Sequence, residues 1–122
     1  MKLKTEKHIL KSMGEQLQKI MSVPVYKIGE YTFDTATRQL IYKNEANKLT
    51  TKEAYLIAIL AANQNNIVER KFVLEQIWGE ECFRNSRSMD VYVCKLRGLL
   101  SKDKNIYLEN LHGKGHKLIV MA

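Results

Sequence analysis

Apolar residues near the start of the chain recur at the spacing of a helix. They are separated by steps of seven, three, four and three residues, with Lys, Glu and Gln between them: Leu3, Leu10, Met13, Leu17 and Ile20. The pattern predicts a helix over residues 3–21, weakened at Gly14 by about 1 kcal/mol relative to alanine. It ends before Pro24, because the residue that precedes a proline avoids the helical region. The apolar stripe then has to pack against a second copy, the residues that follow it or a domain that precedes it.

From Tyr26 the apolar period shortens to two residues, which is the period of strands. The alternation predicts short antiparallel strands over four ranges: Tyr26–Ile28, Tyr31–Asp34, Arg38–Tyr42 and Lys48–Leu49. Turn-forming residues separate these strands: Gly29-Glu30, Asp34–Thr37 and Asn44–Asn47. Phe33, Leu40 and Tyr42 are the predicted inward residues. No chemically reactive residues gather here, so we interpret the sheet as a platform.

Two helices are predicted next. The first begins with a capping box, in which the Thr50 hydroxyl and the Glu53 carboxylate accept each other's backbone N–H groups. It ends at the polar run over residues 63–66. The second covers about residues 70–78, with Glu69 as an N-cap that is weak as a hydrogen-bond partner but favourable to the helix dipole.

A third helix and a hairpin complete the pattern. After a loop over residues 79–85, the third helix runs from about Ser86 to Leu100, and one buried face carries apolar residues four, three and four positions apart: Met89, Val93, Leu96 and Leu100. Two strands, Ile106–Leu111 and His116–Val120, then flank the tight turn Gly113-Lys114-Gly115.

The order of strands, three helices and a terminal hairpin indicates an α+β fold: a winged helix-turn-helix with an N-terminal antiparallel β-sheet and a C-terminal β-hairpin wing. A chain of 122 residues can bury one modest core. We therefore expect one domain over residues 23–122, preceded by a linker or helical segment over residues 1–22.

Positive charge is concentrated in the last third of the chain. Residues 1–81 contain 12 basic and 10 acidic side chains, whereas residues 82–122 contain 8 basic and 3 acidic ones, so these parts carry +2 and +5 of the net charge of +7. The excess therefore falls on the third helix and the hairpin. Such a surface favours a polyanionic partner, because neutralising phosphates releases condensed counterions. The alternative is a solvated basic surface that has no partner.

Several classes of protein are disfavoured. No run approaches the roughly 18 apolar residues of a membrane span, and the N-terminus lacks the apolar run of a secretory signal, so we expect no membrane partner. We predict no enzyme, since neither a nucleophile with its base nor a carboxylate pair in an apolar pocket is evident. Cys82 and Cys94 form no disulfide framework, which favours a reducing cytoplasm.

The two cysteines together with His112 and His116 are candidate ligands for a metal ion. The histidines have a metal-compatible spacing, but the cysteines are 12 positions apart rather than the two to four of a zinc site. We therefore predict no metal and no cofactor. Cys94 as a redox-sensing thiol is a further alternative to simple packing.

Four motifs together resemble a known family. They are Leu49-Thr50-x-x-Glu53, Ile77-Trp78-Gly79, Arg87–Arg97 (RSMDVYVCKLR) and Asn110–Lys117 (NLHGKGHK). Through them, residues 26–120 resemble the C-terminal DNA-binding effector domain of OmpR/PhoB-type two-component response regulators.

The resemblance implies a transcription factor that binds duplex DNA at direct repeats, as a head-to-tail homodimer. It also implies that a sensor histidine kinase controls it in a phosphorelay through a receiver domain, for which this chain has no room. Residues 1–22 would then be the end of that receiver domain and a linker, or a dimer helix. RNA polymerase is a further implied partner at the loop 79–85, although Glu80 and Glu81 there are equally compatible with ordinary solvated acids.

The resemblance also assigns roles to residues. Four on the outward face of the third helix would lie in the major groove: Val91, Cys94, Lys95 and Gly98. Arg87 and Arg97 would meet phosphates or adjacent bases. The indole N–H of Trp78 would donate to a phosphate; the alternative is a core residue, and one ring can serve both roles. The wing would place further residues on the DNA: Asn110, His112 in the minor groove, Lys114, and His116 where the family often has Tyr.

Two residues depart from the family pattern. Cys94 stands where a larger polar side chain is common, and Gly98 offers no side chain, so Lys95 is the charged base-reading candidate of that face. One good base contact supplies roughly 1–3 kcal/mol of discrimination. We therefore expect selectivity to depend also on Val91 against thymine methyl groups and on DNA shape. The alternative function is a winged-helix module that binds protein rather than DNA.

Overall fold

A computed structural model describes residues 14–121 as helices and strands around one core. In chain order they are α1 (Glu15–Met21), β1 (Val25–Ile28), β2 (Tyr31–Asp34), β3 (Gln39–Tyr42), β4 (Glu45–Lys48), α2 (Thr51–Ala62), β5 (Ile67–Glu69), α3 (Arg70–Val73, continued by the π-helical turn Leu74–Trp78), α4 (Phe83–Leu99), β6 (Ile106–Leu111) and β7 (Gly115–Val120). This mixed α/β arrangement confirms the predicted fold class. No helix within residues 14–121 is long and apolar enough to cross a membrane.

Helix α1 packs into the core of the residues that follow it. Leu17 is completely buried, and α1 lies against α2 and the π-helical turn. The backbone N–H of Leu17 donates to Oε1 of Gln76 at 2.9 Å, so a side chain of α3 satisfies one of the free amides of the first turn. Gly14, which has a φ of +75°, occupies the N-cap position of α1. The predicted stripe residues Leu3, Leu10 and Met13 lie outside the described residues.

The first sheet has the order β1-β2-β3-β4, with every neighbouring pair antiparallel. Phe33 pairs with Leu40, and both are buried as predicted. The predicted turn Asn44–Asn47 is wrong. Strand β4 occupies most of it, because the chain reverses one residue earlier, at Lys43 with a φ of +54°.

The first two predicted helices are confirmed. The hydroxyl of Thr50 accepts the N–H of Glu53 at 3.3 Å, and Oε1 of Glu53 accepts the N–H of Thr50 at 2.8 Å, which completes the capping box of α2. Helix α3 covers the predicted range, but its last turn is π-helical. Glu69 occupies the N-cap position without a side-chain hydrogen bond.

The third helix, α4, begins at Phe83 rather than at Ser86, so the connecting loop covers only residues 79–82. The predicted buried face is confirmed at all four positions: Met89, Val93, Leu96 and Leu100.

The C-terminal hairpin is confirmed and belongs to a three-stranded sheet with the order β5-β7-β6. Strand β5 was not predicted, because it has only three residues. It passes so close to β7 that a Cβ atom at Gly115 would lie 2.0 Å from the carbonyl oxygen of Val68. The predicted boundary at residue 22 stays a prediction, although Leu17 contributes to the same core as β2 and α4.

Candidate nucleic-acid interface

The outward face of α4 is exposed over most of its length. Val91 is 57% exposed, and the other predicted residues of this face are exposed as well: Arg87, Cys94, Lys95 and Gly98. The residues buried on the opposite face hold the helix against the core. The helix is thus anchored on one side and free to meet a partner on the other.

Sequence reasoning missed one residue of this face, because it began the helix too late. Phe83 is 77% exposed, and the guanidinium carbon of Arg87 lies 5.6 Å from the centre of its ring. Phe83, Arg87 and Val91 follow one another at intervals of four residues. That helical spacing was the signal that would have extended the helix by a turn.

Lys95 is held on two sides while its side chain remains 59% exposed. Its ammonium group lies 4.0 Å from Oε2 of Glu53, whose side chain is only 10% exposed, and 5.9 Å from the centre of the Tyr92 ring. The carboxylate that caps α2 therefore also faces the charged base-reading candidate of α4.

Arg70 joins α3 to α4, and sequence reasoning assigned it no role. Its guanidinium donates at 2.7 Å to the carboxylate of Asp90, to the backbone oxygen of Ser86 and to the hydroxyl of Ser86. A cation in the first turn of a helix opposes the helix dipole. That unfavourable placement was the available signal that another element holds the charge.

Arg97 lies between α4 and the wing. Its Nε and Nη2 atoms donate to the backbone oxygen of Leu108 in β6 at 3.2 and 3.0 Å. The residue remains exposed, but these bonds direct its guanidinium towards the hairpin. Its predicted contact with a phosphate or a base stays a prediction.

The wing tip presents exposed polar and basic residues. Asn110, His112 and Lys114 are all exposed, and the N–H of Lys114 closes the turn on the carbonyl of Leu111 at 2.8 Å. A cleft separates this tip from α4 and is lined by Arg70, Asp90 and residues 110–116. Helix α4, through Asp90, and the wing tip therefore line a common cleft that contains the cationic groups of Arg70 and Lys114.

His116 lines the cleft but, unlike the other wing residues, it is buried, and its predicted contact with DNA stays a prediction. It is only 3% exposed, and β7, the central strand of its sheet, pairs it with Val68 on one side and Asn110 on the other. Burial lowers its pKa, and the positive charges of Arg70 and Arg97 lower it further, against an opposing effect of Asp90. Its Nδ1 atom is buried without a hydrogen-bond partner.

Trp78 is half-buried and packs against the core. Its ring lies 5.8 Å from the Tyr92 ring, and the ammonium of Lys52 lies 5.8 Å from its centre. The packing interpretation is therefore supported, while the predicted donation to a phosphate stays a prediction. Both cysteines are free, and no group of three or more potential metal ligands occurs within residues 14–121.

Comparison with known proteins places these features in context. Residues 44–118 match the family described as "Transcriptional regulatory protein, C terminal". Transcriptional regulatory protein RprY of Bacteroides fragilis is 50% identical over 95 residues, which are 78% of this chain and 40% of that protein. The chain thus spans less than half the length of this relative.

Solved structures with the same fold are similar over most of the chain. The DNA-binding domain of CpxR from E. coli has a TM-score of 0.72 at 19% identity, covering 81% of this chain and 99% of that one. The Klebsiella pneumoniae RstA DNA-binding domain, solved in complex with the RstA box, has a TM-score of 0.66 at 25% identity, covering 78% and 96%.

Proposed function

This chain belongs to the family of C-terminal domains of transcriptional regulatory proteins, of the OmpR/PhoB response-regulator type, and we propose that it binds duplex DNA sequence-specifically to control transcription. In this proposal α4 enters the major groove and the wing tip reaches the minor groove. An α-helix fits the major groove, where each base pair presents a distinct pattern of donors and acceptors.

One observation carries the proposal: α4 has an exposed outward face, and the exposed wing tip lies across a cleft from the same helix. Lys95 and Arg87 lie on the helix, and Lys114 lies at the tip. The last third of the chain also contains 8 basic and 3 acidic residues. Such an arrangement suits duplex DNA, because a helix and a wing can each meet one of two adjacent grooves while basic residues contact the phosphates between them.

The finer parts of the proposal follow the family. We expect binding to direct repeats as a head-to-tail homodimer, and control by a sensor histidine kinase through a receiver domain outside this sequence. RNA polymerase would contact the loop over residues 79–82 and the neighbouring exposed ring of Phe83. The cytoplasm is the expected location.

A titration against duplex DNA selected from a random pool tests the function. Affinity should fall steeply as salt rises, because the logarithm of the association constant decreases by about 0.9 per contacted phosphate for each tenfold rise in salt. Lys114→Ala should weaken binding to every sequence and reduce that slope by about 1, whereas Lys95→Ala should also relax selectivity at one position.

The matched control is Lys48→Ala, which removes an exposed lysine from β4 in the first sheet. It should leave the selected sequence and most of the affinity unchanged. If Lys95→Ala and Lys114→Ala behave like this control, the surface is not the one that binds DNA. Absence of salt-dependent binding to any duplex would instead favour a module that binds protein.

A further inference from the structure

The capping carboxylate of α2 stands opposite the charged base-reading candidate of α4. Oε1 of Glu53 accepts the backbone N–H of Thr50 at 2.8 Å, which fixes the carboxylate at the start of α2. Its second oxygen, Oε2, faces the ammonium of Lys95 at 4.0 Å. One carboxylate thus closes a helix with one oxygen and faces a cation of another helix with the other.

We propose that Glu53 is a positioning residue for DNA recognition, which directs the ammonium of Lys95 and so sets the base that Lys95 reads. The inference rests on the proposed DNA-binding function and adds a specificity determinant that does not itself touch DNA. Glu53 belongs to α2, the helix that precedes the helix-turn-helix formed by α3 and α4, whereas the groove-reading residues lie on α4.

A lysine in this position needs such a partner. Its ammonium is a point charge on a flexible four-carbon stem, and it lacks the planar fork by which arginine aligns itself on a base. The neighbours on the outward face give little help, because Cys94 is short and Gly98 has no side chain. The Tyr92 ring, 5.9 Å from the ammonium, and the Glu53 carboxylate therefore limit the directions that Lys95 takes.

The burial of the two partners suits this role. The Glu53 side chain is 10% exposed and cannot swing away without breaking the capping box, whereas the Lys95 side chain is 59% exposed. A loose pair of this kind adds little to stability. It needs to bias the lysine only a few-fold towards one orientation in order to alter base preference.

The test compares the affinity for a selected duplex with that for duplexes changed at single base pairs. One good base contact corresponds to roughly 5- to 150-fold discrimination, so we expect Glu53→Gln to lower the preference at one base pair by about three- to tenfold. The glutamine oxygen can still accept the N–H of Thr50, because glutamine also serves at this position of a capping box. Thermal unfolding should therefore stay close to that of the unsubstituted chain.

A double-mutant cycle separates positioning from a general effect on the fold. In a Lys95→Ala background, Glu53→Gln should change base preference by less than twofold, since no ammonium remains to be directed. Glu45→Gln is the matched control, because it removes the same charge from β4 of the first sheet, where Glu45 pairs with Lys102 of the loop after α4. It should leave the base preference unchanged.

Distinct outcomes overturn the inference and the function. If the unsubstituted chain binds no duplex, the proposed function fails and this inference fails with it. If it binds DNA selectively but Glu53→Gln keeps or increases the preference, only the positioning role is wrong. The role is also wrong if Glu53→Gln lowers the preference equally with and without Lys95.

Discussion

Replacing Leu17 by alanine tests whether α1 is an integral part of the domain. Leu17 is fully buried against α2 and the π-helical turn. Leucine-to-alanine substitutions in protein cores lower the free energy of unfolding by about 2–5 kcal/mol, depending on how far the site relaxes. Because α1 has seven residues and lies at one end of the described chain, it can relax more than a central helix. We therefore expect a loss of about 2–3 kcal/mol, at the lower end of that range.

Such a loss is a large part of the stability of a small domain, which is typically about 5–15 kcal/mol. For a domain of roughly 100 residues, 1 kcal/mol corresponds to a shift in Tm of about 4 °C or more. The expected decrease in Tm is therefore about 8–12 °C. Urea unfolding gives the same quantity as a lowered midpoint with an unchanged slope.

Two controls frame this measurement. Leu17→Met roughly conserves volume and should lower the free energy of unfolding by less than about 1.5 kcal/mol. Gln16→Ala changes an exposed neighbour on the same helix and should stay within about 0.5 kcal/mol of the unsubstituted chain. If Leu17→Ala is as mild as Gln16→Ala, α1 does not contribute to the core, and the domain begins after it.

Two further predictions concern the wing and α4. Gly115→Ala should destabilise the domain by more than about 2 kcal/mol in urea unfolding, because the added Cβ would lie 2.0 Å from a backbone oxygen that cannot move aside. Gly98→Ala, where the added atom meets nothing within 4 Å, should instead stabilise it by about 0.5–1 kcal/mol, and equal effects of the two would refute the reasoning. The lowered pKa of buried His116 means that the unfolded chain binds its proton more readily, so stability should decrease as the pH falls below about 6.5 and level off below the pKa of the folded state. His116→Tyr should remove this contribution, and a constant difference in stability between the two chains from pH 7.5 to 5 would contradict it.

Much of the fold was predictable from local patterns. Apolar spacing found the buried face of α4, and the capping box fixed the start of α2, because both signals lie within a few neighbouring residues. The start of α4 was missed because no capping residue precedes Phe83, and Ser86 resembles a helix start. Strand β5 was missed because three residues form a strand only through their pairing with β7.

The part of the candidate site on α4 was predictable, because helical periodicity indicates which side chains of a helix are exposed. The exposed face of α4 was predicted on that basis. The burial of His116 was not, because it depends on how elements distant in the sequence pack around β7. The contacts that Arg70 and Glu53 make with α4 were not predicted for the same reason, since their partners there are 16–42 residues away in the sequence.

Arg70 has a further consequence for the energetics of binding. Its side chain is bonded to Ser86 and Asp90 of α4, and its backbone N–H donates to the carbonyl of Lys114 at the wing tip, at 3.3 Å. A single residue therefore connects both elements that flank the cleft. Their separation is preorganised before any partner arrives, so little conformational entropy remains to be lost between them on binding. In the proposed complex, a duplex would have to adapt its own groove spacing to this fixed distance, and its resistance to deformation would become part of the selection.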